Sequence, residues 1–202
     1  MKTVAVVSQK GGSGKTTIAV HLAVCAERKG NPTIIIDLDP QASAVKWHKR
    51  RLHDDTPEVV PAEPSQLAGL LHKARAGGAG LIIVDTAPHS DRAAAVTMQL
   101  ADLVLIPCRP TSLDVDAIGS TLEIVKLCNT KATVILNAIP PRGSQANEVR
   151  TGLSQVVTVA PVGLYHRVAF FNAMNDGRSV EEYEPKGKAA EEIRMLYKWI
   201  LP

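Results

Sequence analysis

Between Val7 and Ile18 the chain reads Ser8-Gln9-Lys10-Gly11-Gly12-Ser13-Gly14-Lys15-Thr16-Thr17, set between the apolar stretch Val4-Ala5-Val6-Val7 and a helix-like pattern. Small residues here let backbone N–H groups curve around the β- and γ-phosphates of a nucleoside triphosphate. The helix beginning near Gly14 aims its positive end at the same place. Lys15 supplies a neutralising charge and Thr16 a hydroxyl for Mg²⁺, so the run from Lys10 to Thr17 is the expected nucleotide contact. An ordinary phosphate loop has glycine where this chain has Gln9, and a second lysine, Lys10, follows. To find phosphate, the Lys10 side chain would have to leave its own pocket. A facing subunit is its simplest target, which predicts a dimer.

Carboxylates follow at the ends of apolar runs. In Ile36-Asp37-Leu38-Asp39-Pro40-Gln41 strand alternation puts Asp37 and Asp39 on one side, where a pair near a triphosphate can hold Mg²⁺ through water and orient the attacking water. The alternative is that they cap the helix after Pro40. Ile82-Ile83-Val84-Asp85 is an apolar strand ending in a carboxylate, the arrangement that holds Mg²⁺ in phosphate-loop enzymes. Thr16, Asp37 and Asp85 are thus the expected metal set, and Lys10, Lys15 and Asp39 the catalytic one.

The elements that must position these groups are legible as short β-branched runs at Thr3–Val7, Thr33–Asp37, Leu81–Asp85, Leu103–Pro107 and Thr133–Ala138, separated by helix-length segments. That order predicts an α/β fold: a doubly wound, mainly parallel sheet with helices on both faces, in one domain over 1–202. Asp37, Asp39 and Asp85 then fall at carboxyl ends of strands, where such a sheet has its ligand crevice. A first helix is expected from Gly14 to Lys29, ended by Gly30-Asn31-Pro32, with His21 a packed residue on it. Asp54–Gly80 reads as a helix between loops, without chemistry.

The composition is 45% hydrophobic but only 3% aromatic, which suits aliphatic strands under alanine-rich helices. A net charge of +3 means that any nucleic-acid binding must come from a local patch. Cys25, Cys108 and Cys128 contain no C-x-x-C pair, so a disulfide framework or zinc site is not expected. The first strand begins at once, with no charged-then-apolar leader and no apolar run of about 18 residues, so a cytoplasmic location is expected.

The loop with its extra lysine, the Asp-x-Asp-Pro-Gln stretch and the strand ending at Asp85 together resemble the deviant Walker A family of P-loop ATPases, most of all short ParF-like ParA partition proteins. Asn175-Asp176-Gly177-Arg178-Ser179-Val180 resembles a stretch near the end of ParA proteins. The resemblance implies ATP and Mg²⁺ as ligands and slow, partner-stimulated hydrolysis. It implies that ATP is sandwiched in a homodimer, with Lys10 contacting the partner's nucleotide and Asp39 positioning the attacking water. It also places near the base Asn137, at the end of the Val134–Ala138 run, and Tyr165 and His166, within Pro161–Arg167, and it places Asp114 near the dimer interface and the γ-phosphate.

By the same resemblance the ATP-bound dimer would hold non-specific DNA on the nucleoid, and a ParB- or ParG-like adaptor would release it while plasmid, chromosome or protein cargo is segregated or positioned. Candidate phosphate contacts are Arg142, Arg150, Arg167, Arg178, Lys186 and Lys188, with Lys46, Lys49, Arg50 and Arg51 a second cluster on a Trp47–His53 segment read as an exposed helix face. Three alternatives remain. A redox role lacks suitably placed cysteines. A MinD-like membrane role would need the amphipathic segment Ile193–Pro202 free to enter lipid, and docking on the sheet is its simpler use, so no stable membrane association is expected. A small-molecule ligase would share the loop but need a substrate pocket.

Overall fold

The structure, a computed structural model, describes residues 1–52, 55–88 and 90–201. Seven strands, β1 (Lys2–Val6), β2 (Thr33–Asp37), β3 (Glu58–Pro61), β4 (Leu81–Asp85), β5 (Leu103–Cys108), β6 (Ala132–Leu136) and β7 (Thr158–Val159), form one sheet in the order β3-β2-β4-β1-β5-β6-β7. Every neighbouring pair is parallel. Strand β3 lies inside the segment expected to hold only a helix and loops. It is four residues long, half exposed and on the sheet edge, so it lacks the continuous apolar run that marks the buried strands.

The helices are α1 (Lys15–Glu27), α2 (Ser43–His48), α3 (Leu67–Ala76), α4 (Asp91–Leu100), α5 (Ser112–Cys128), α6 (Gln145–Leu153), α7 (Val168–Asn175), α8 (Val180–Tyr183) and α9 (Lys188–Ile200). Strand alternation divides the apolar residues between two cores. Val4, Val6, Ile35, Leu81, Ile83, Leu105 and Ile135 face α1, α2, α7, α8 and α9. Ala5, Val7, Ile36, Ile82, Val84, Val104, Ile106, Val134 and Leu136 face the layer of α3, α4, α5 and α6. The doubly wound architecture is therefore present as expected, with helices on both faces.

Helix α1 is buried from Ile18 through Ala26, which is why its sequence is apolar on all sides and not along one stripe. His21 lies within it with no exposure; its Nδ1 accepts the Val180 N–H at 3.2 Å and its ring meets Phe170 edge-on. Burial pulls its pKa down to about 3, so it is neutral. Helix α9 lays Ala189, Ala190, Ile193, Leu196 and Ile200 into the core beside α1, the docking expected of the amphipathic C-terminal segment. Among the described residues no helix is long and apolar enough to cross a membrane.

The Trp47–His53 segment departs from its reading as an exposed face. Helix α2 ends at His48, and His53 lies outside the described residues. Trp47 is fully buried and donates through Nε1 to the Arg178 carbonyl at 3.1 Å. Arg51 stacks over the Trp47 ring and forms a two-pronged bridge to Glu182 at 2.7 and 3.1 Å. An indole followed by basic residues reads as a solvated face only while Glu182, far along the chain, is out of sight.

Candidate functional site

The phosphate loop leaves the carboxyl end of β1, the strand at the centre of the sheet, with β4 and β5 on either side. It opens into a cleft of about 550 Å³. Gly11, Gly12, Gly14, Lys15, Thr16 and Thr17 of the loop line it together with Asp39, Arg109, Asn137, Tyr165, His166, Phe171 and Met174. Ser13 is buried behind the loop. The parallel strand order thus gathers into one crevice the loop and the candidate base contacts from more than a hundred residues away.

Two glycines set the loop's shape. Gly12 has φ 70° and Gly14 φ 101°, conformations that favour residues without Cβ. Gly14 directly precedes α1 and has ψ 24°. A Cβ there would lie 2.1 Å from Nδ2 of Asn137, which donates to the Ser13 carbonyl at 2.7 Å. Asn137, expected near the base, therefore also holds the loop's back.

The two lysines are separated by their surroundings. Lys15 is buried, and its ammonium donates to the carbonyls of Ser8 at 3.3 Å and Lys10 at 3.4 Å. Burial pulls its pKa below the ordinary value, against the opposing attraction of Asp85 and Asp39. Lys10 turns outward, and its Nζ lies 2.8 Å from the Asp114 carboxylate at the start of α5. Burial alone would raise Asp114, but hydrogen bonds from Lys10 and Thr111 and the charges of Lys10 and Arg109 hold it below the usual range.

Asp85 is fully buried at the end of β4. Thr16 Oγ1 donates to its Oδ2 at 2.6 Å, while its Oδ1 has no hydrogen-bond partner. Burial pushes its pKa up to about 7, although the Thr16 hydrogen bond pulls the other way. An orphaned carboxylate oxygen beside a hydroxyl, next to a phosphate-binding loop, fits Mg²⁺. That hard cation takes oxygen ligands and completes its shell with water and substrate phosphate. Among the described residues no group of three His, Cys, Asp or Glu side chains forms a metal cage, and Mg²⁺ held this way needs none.

Asp37 is placed differently from Asp39. Its Oδ2 accepts from the Ala44 and Val45 amides at 3.0 and 3.2 Å, and its Oδ1 from the Asp39 amide at 3.1 Å. These bonds tie the carboxylate to the first turn of α2, the helix-capping role weighed for the pair; burial nonetheless raises its pKa. Asp39 is half-buried and faces the cleft.

The basic candidates also divide. Arg150 donates to the Ala160 carbonyl, and Arg167 holds Glu192 through Nε and Nη2 at 2.8 and 2.5 Å. Arg178 pairs with Asp176 at 2.6 Å but stays half in solvent. Arg142, Lys186 and Lys188 are exposed. Arg109, not singled out from the sequence, donates through Nη2 to the Gly12 carbonyl. Its place directly after an apolar strand was the available signal. Phe171 and Met174 were hidden by the helical pattern of α7.

A phosphate loop at the central strand of a doubly wound parallel sheet, with a buried lysine and a hydroxyl–carboxylate pair beside it, defines a P-loop nucleotide-binding domain. The profile of the CobQ/CobB/MinD/ParA nucleotide binding domain matches residues 4–180. The chain belongs to that family, as a ParA/MinD-type ATPase domain. It is 28% identical to the maintenance of carboxysome distribution protein A of Halothiobacillus neapolitanus, over 99% of this chain and 96% of that protein. It is 31% identical to the protein of the same description from Gloeobacter kilaueensis, over 98% and 91%. The ATP complex of a substituted McdA from Cyanothece shares the fold with a TM-score of 0.75 at 17% identity, over 98% of this chain and 94% of that one.

Proposed function

We propose that this chain is a positioning ATPase that closes as a homodimer around ATP and Mg²⁺, binds DNA without sequence preference in that state, and is released when an adaptor stimulates hydrolysis. The observation that carries the reading is the division of labour between the two lysines of one loop. Lys15 is buried within its own loop, whereas Lys10 turns away from it to pair with Asp114 at the start of α5, the Lys10 side chain being 34% exposed. An outward lysine adds nothing to its own cradle but reaches a nucleotide presented by a second copy. The full-length likeness to two carboxysome-distribution proteins favours a protein assembly over a plasmid or chromosome as cargo.

In this reading the chain supplies little covalent chemistry; its groups hold charge and geometry. The loop amides and Lys15 bind the phosphates, Asp39 orients the attacking water, and Lys10 arrives from the partner. Thr16 and Asp85 would hold Mg²⁺, which would supply neutralising charge to the phosphates. Hydrolysis is then slow in a lone chain, because the constellation is incomplete until two copies meet.

For DNA, the reading is supported by basic residues from two separate stretches that lie near one another. Trp47 of α2 and Arg51 just beyond it reach Arg178 and Gly177, so the exposed Arg50 and Arg178 border one cleft together with Asp176 and Glu182. Lys46 is exposed on α2 and Lys49 just past its end. A weak cationic patch doubled by dimerisation would make binding conditional on ATP. The MinD-like alternative is less favoured because the apolar stripe of α9 is buried in the core.

The test is binding to random-sequence duplex DNA with ATP, with ADP and without nucleotide, across a salt series, for the wild type and Lys10→Ala. Binding only with ATP, steep in salt and lost in the variant, is expected. No DNA binding in any state refutes the nucleoid mechanism and leaves the ATPase fold standing.

A further inference from the structure

Three cations contact the phosphate loop or belong to it, and two of them are enclosed or paired. Lys15 is enclosed by the loop, and Lys10 faces a carboxylate at 2.8 Å. Arg109 is different. It follows directly on β5, its side chain is exposed at the cleft wall, and its hydrogen bond among the described residues goes to a neutral acceptor, the Gly12 carbonyl. A guanidinium carries five N–H donors in a planar fork, so a single bond to a carbonyl leaves most of its donors and its charge uncommitted.

The acceptor matters as much as the donor. Gly12 sits at φ 70° in the middle of the phosphate loop, so the bond ties the guanidinium to the loop itself. Arg109 thus touches the loop and lines the cleft at once. Asp114 feels both Arg109 and Lys10, so the guanidinium lies within electrostatic reach of the place where Lys10 leaves the loop.

We infer that Arg109 is a phosphate-sensing residue acting within its own chain: it holds the loop through Gly12 and turns its remaining donors onto the terminal phosphate of ATP. The inference rests on the ATPase reading above and adds to it the group that distinguishes triphosphate from diphosphate before a second copy arrives. Planar, forked donors suit two oxygens of one phosphoryl group, which a lysine cannot bridge in the same way. ADP lacks the group that Arg109 would reach and keeps the contacts made by Lys15 and the loop amides.

The experiment measures the dissociation constants of fluorescent ATP and ADP analogues with Mg²⁺ for the wild-type chain, Arg109→Ala and Arg109→Lys. It is run at protein concentrations where sedimentation shows a monomer. Thermal melts check that each variant is folded, and Arg109→Lys retains the charge and most of the packing. ATP affinity is expected to fall at least about tenfold in Arg109→Ala, as for loss of a charged hydrogen bond, and less in Arg109→Lys. ADP affinity is expected to stay within about twofold. Equal weakening of ATP and ADP would show that Arg109 only shapes the loop and would overturn the inference, as would unchanged affinity for both. A wild-type chain that binds neither nucleotide would sink the ATPase reading and this inference with it.

Discussion

Replacing the loop glycines one at a time with alanine should give a graded series whose order is set by geometry. At Gly11 a Cβ meets nothing within 4 Å, and the backbone is not in the positive-φ region. At Gly12 the nearest atom is Nη2 of Arg109 at 3.6 Å, an ordinary contact, so only φ 70° is penalised, by about 1 kcal/mol. At Gly14 two penalties combine. The conformation at φ 101° costs about 1–2 kcal/mol for alanine, and displacing Asn137 forfeits its bond to Ser13, worth about 1 kcal/mol.

The sum at Gly14 is about 2–3 kcal/mol, roughly a 30- to 150-fold change in an equilibrium constant. If the loop stays strained, the loss appears in global stability; if it relaxes, the binding-competent population falls and nucleotide affinity drops by the same factor. Urea unfolding and ADP titration together therefore capture it. Gly11→Ala should unfold within about 0.5 kcal/mol of wild type. A Gly14→Ala protein that matches Gly11→Ala in urea and binds ADP as tightly as wild type would refute the argument.

Because His21 is neutral in the fold with a pKa of about 3 but ordinary when unfolded, the unfolded chain takes up more protons as pH falls below about 6.5, and stability declines by about 2 kcal/mol at pH 5. Asp85 works in the opposite direction, so the quantity to measure is the difference in pH slope between wild type and His21→Asn, and parallel curves would contradict the neutral, buried imidazole. Asp85→Asn removes a burial penalty that grows above about pH 4 and is complete above its folded pKa of about 7. That variant should unfold later than wild type at pH 8 and lose the Mg²⁺ dependence of ATP binding in calorimetry. Asp114→Asn releases Lys10, and ATP-dependent dimerisation measured by sedimentation should tighten about two- to fivefold at low salt, as for a partly exposed ion pair. A weaker dimer would show that the carboxylate itself serves the closed state.

Much of the site was legible because its parts are local. The loop from Lys10 to Thr17 is one contiguous segment whose small residues, lysine and hydroxyl declare their chemistry, and Asp39 and Asp85 each close or follow an apolar strand. Strand β3 was missed because an edge strand of four half-exposed residues carries little periodicity. Asp37 resembled Asp39 in sequence, and only the return of α2 over the strand end adds two amides to the local one of Asp39.

The amino-acid sequence alone determined the class of chemistry, the parallel α/β order and the crevice at the strand ends, because each is written in adjacent residues or in a short period. Tertiary structure decided the partners: Lys10 with Asp114, Arg109 with Gly12, Asn137 with Ser13, and Arg51 with Glu182. Each pairing joins residues 97 to 131 positions apart. The loop contacts form where β1, β5 and β6 lie side by side, and Arg51 meets Glu182 where helices pack over one face, so each contact depends on strand order and helix packing, which no local segment encodes.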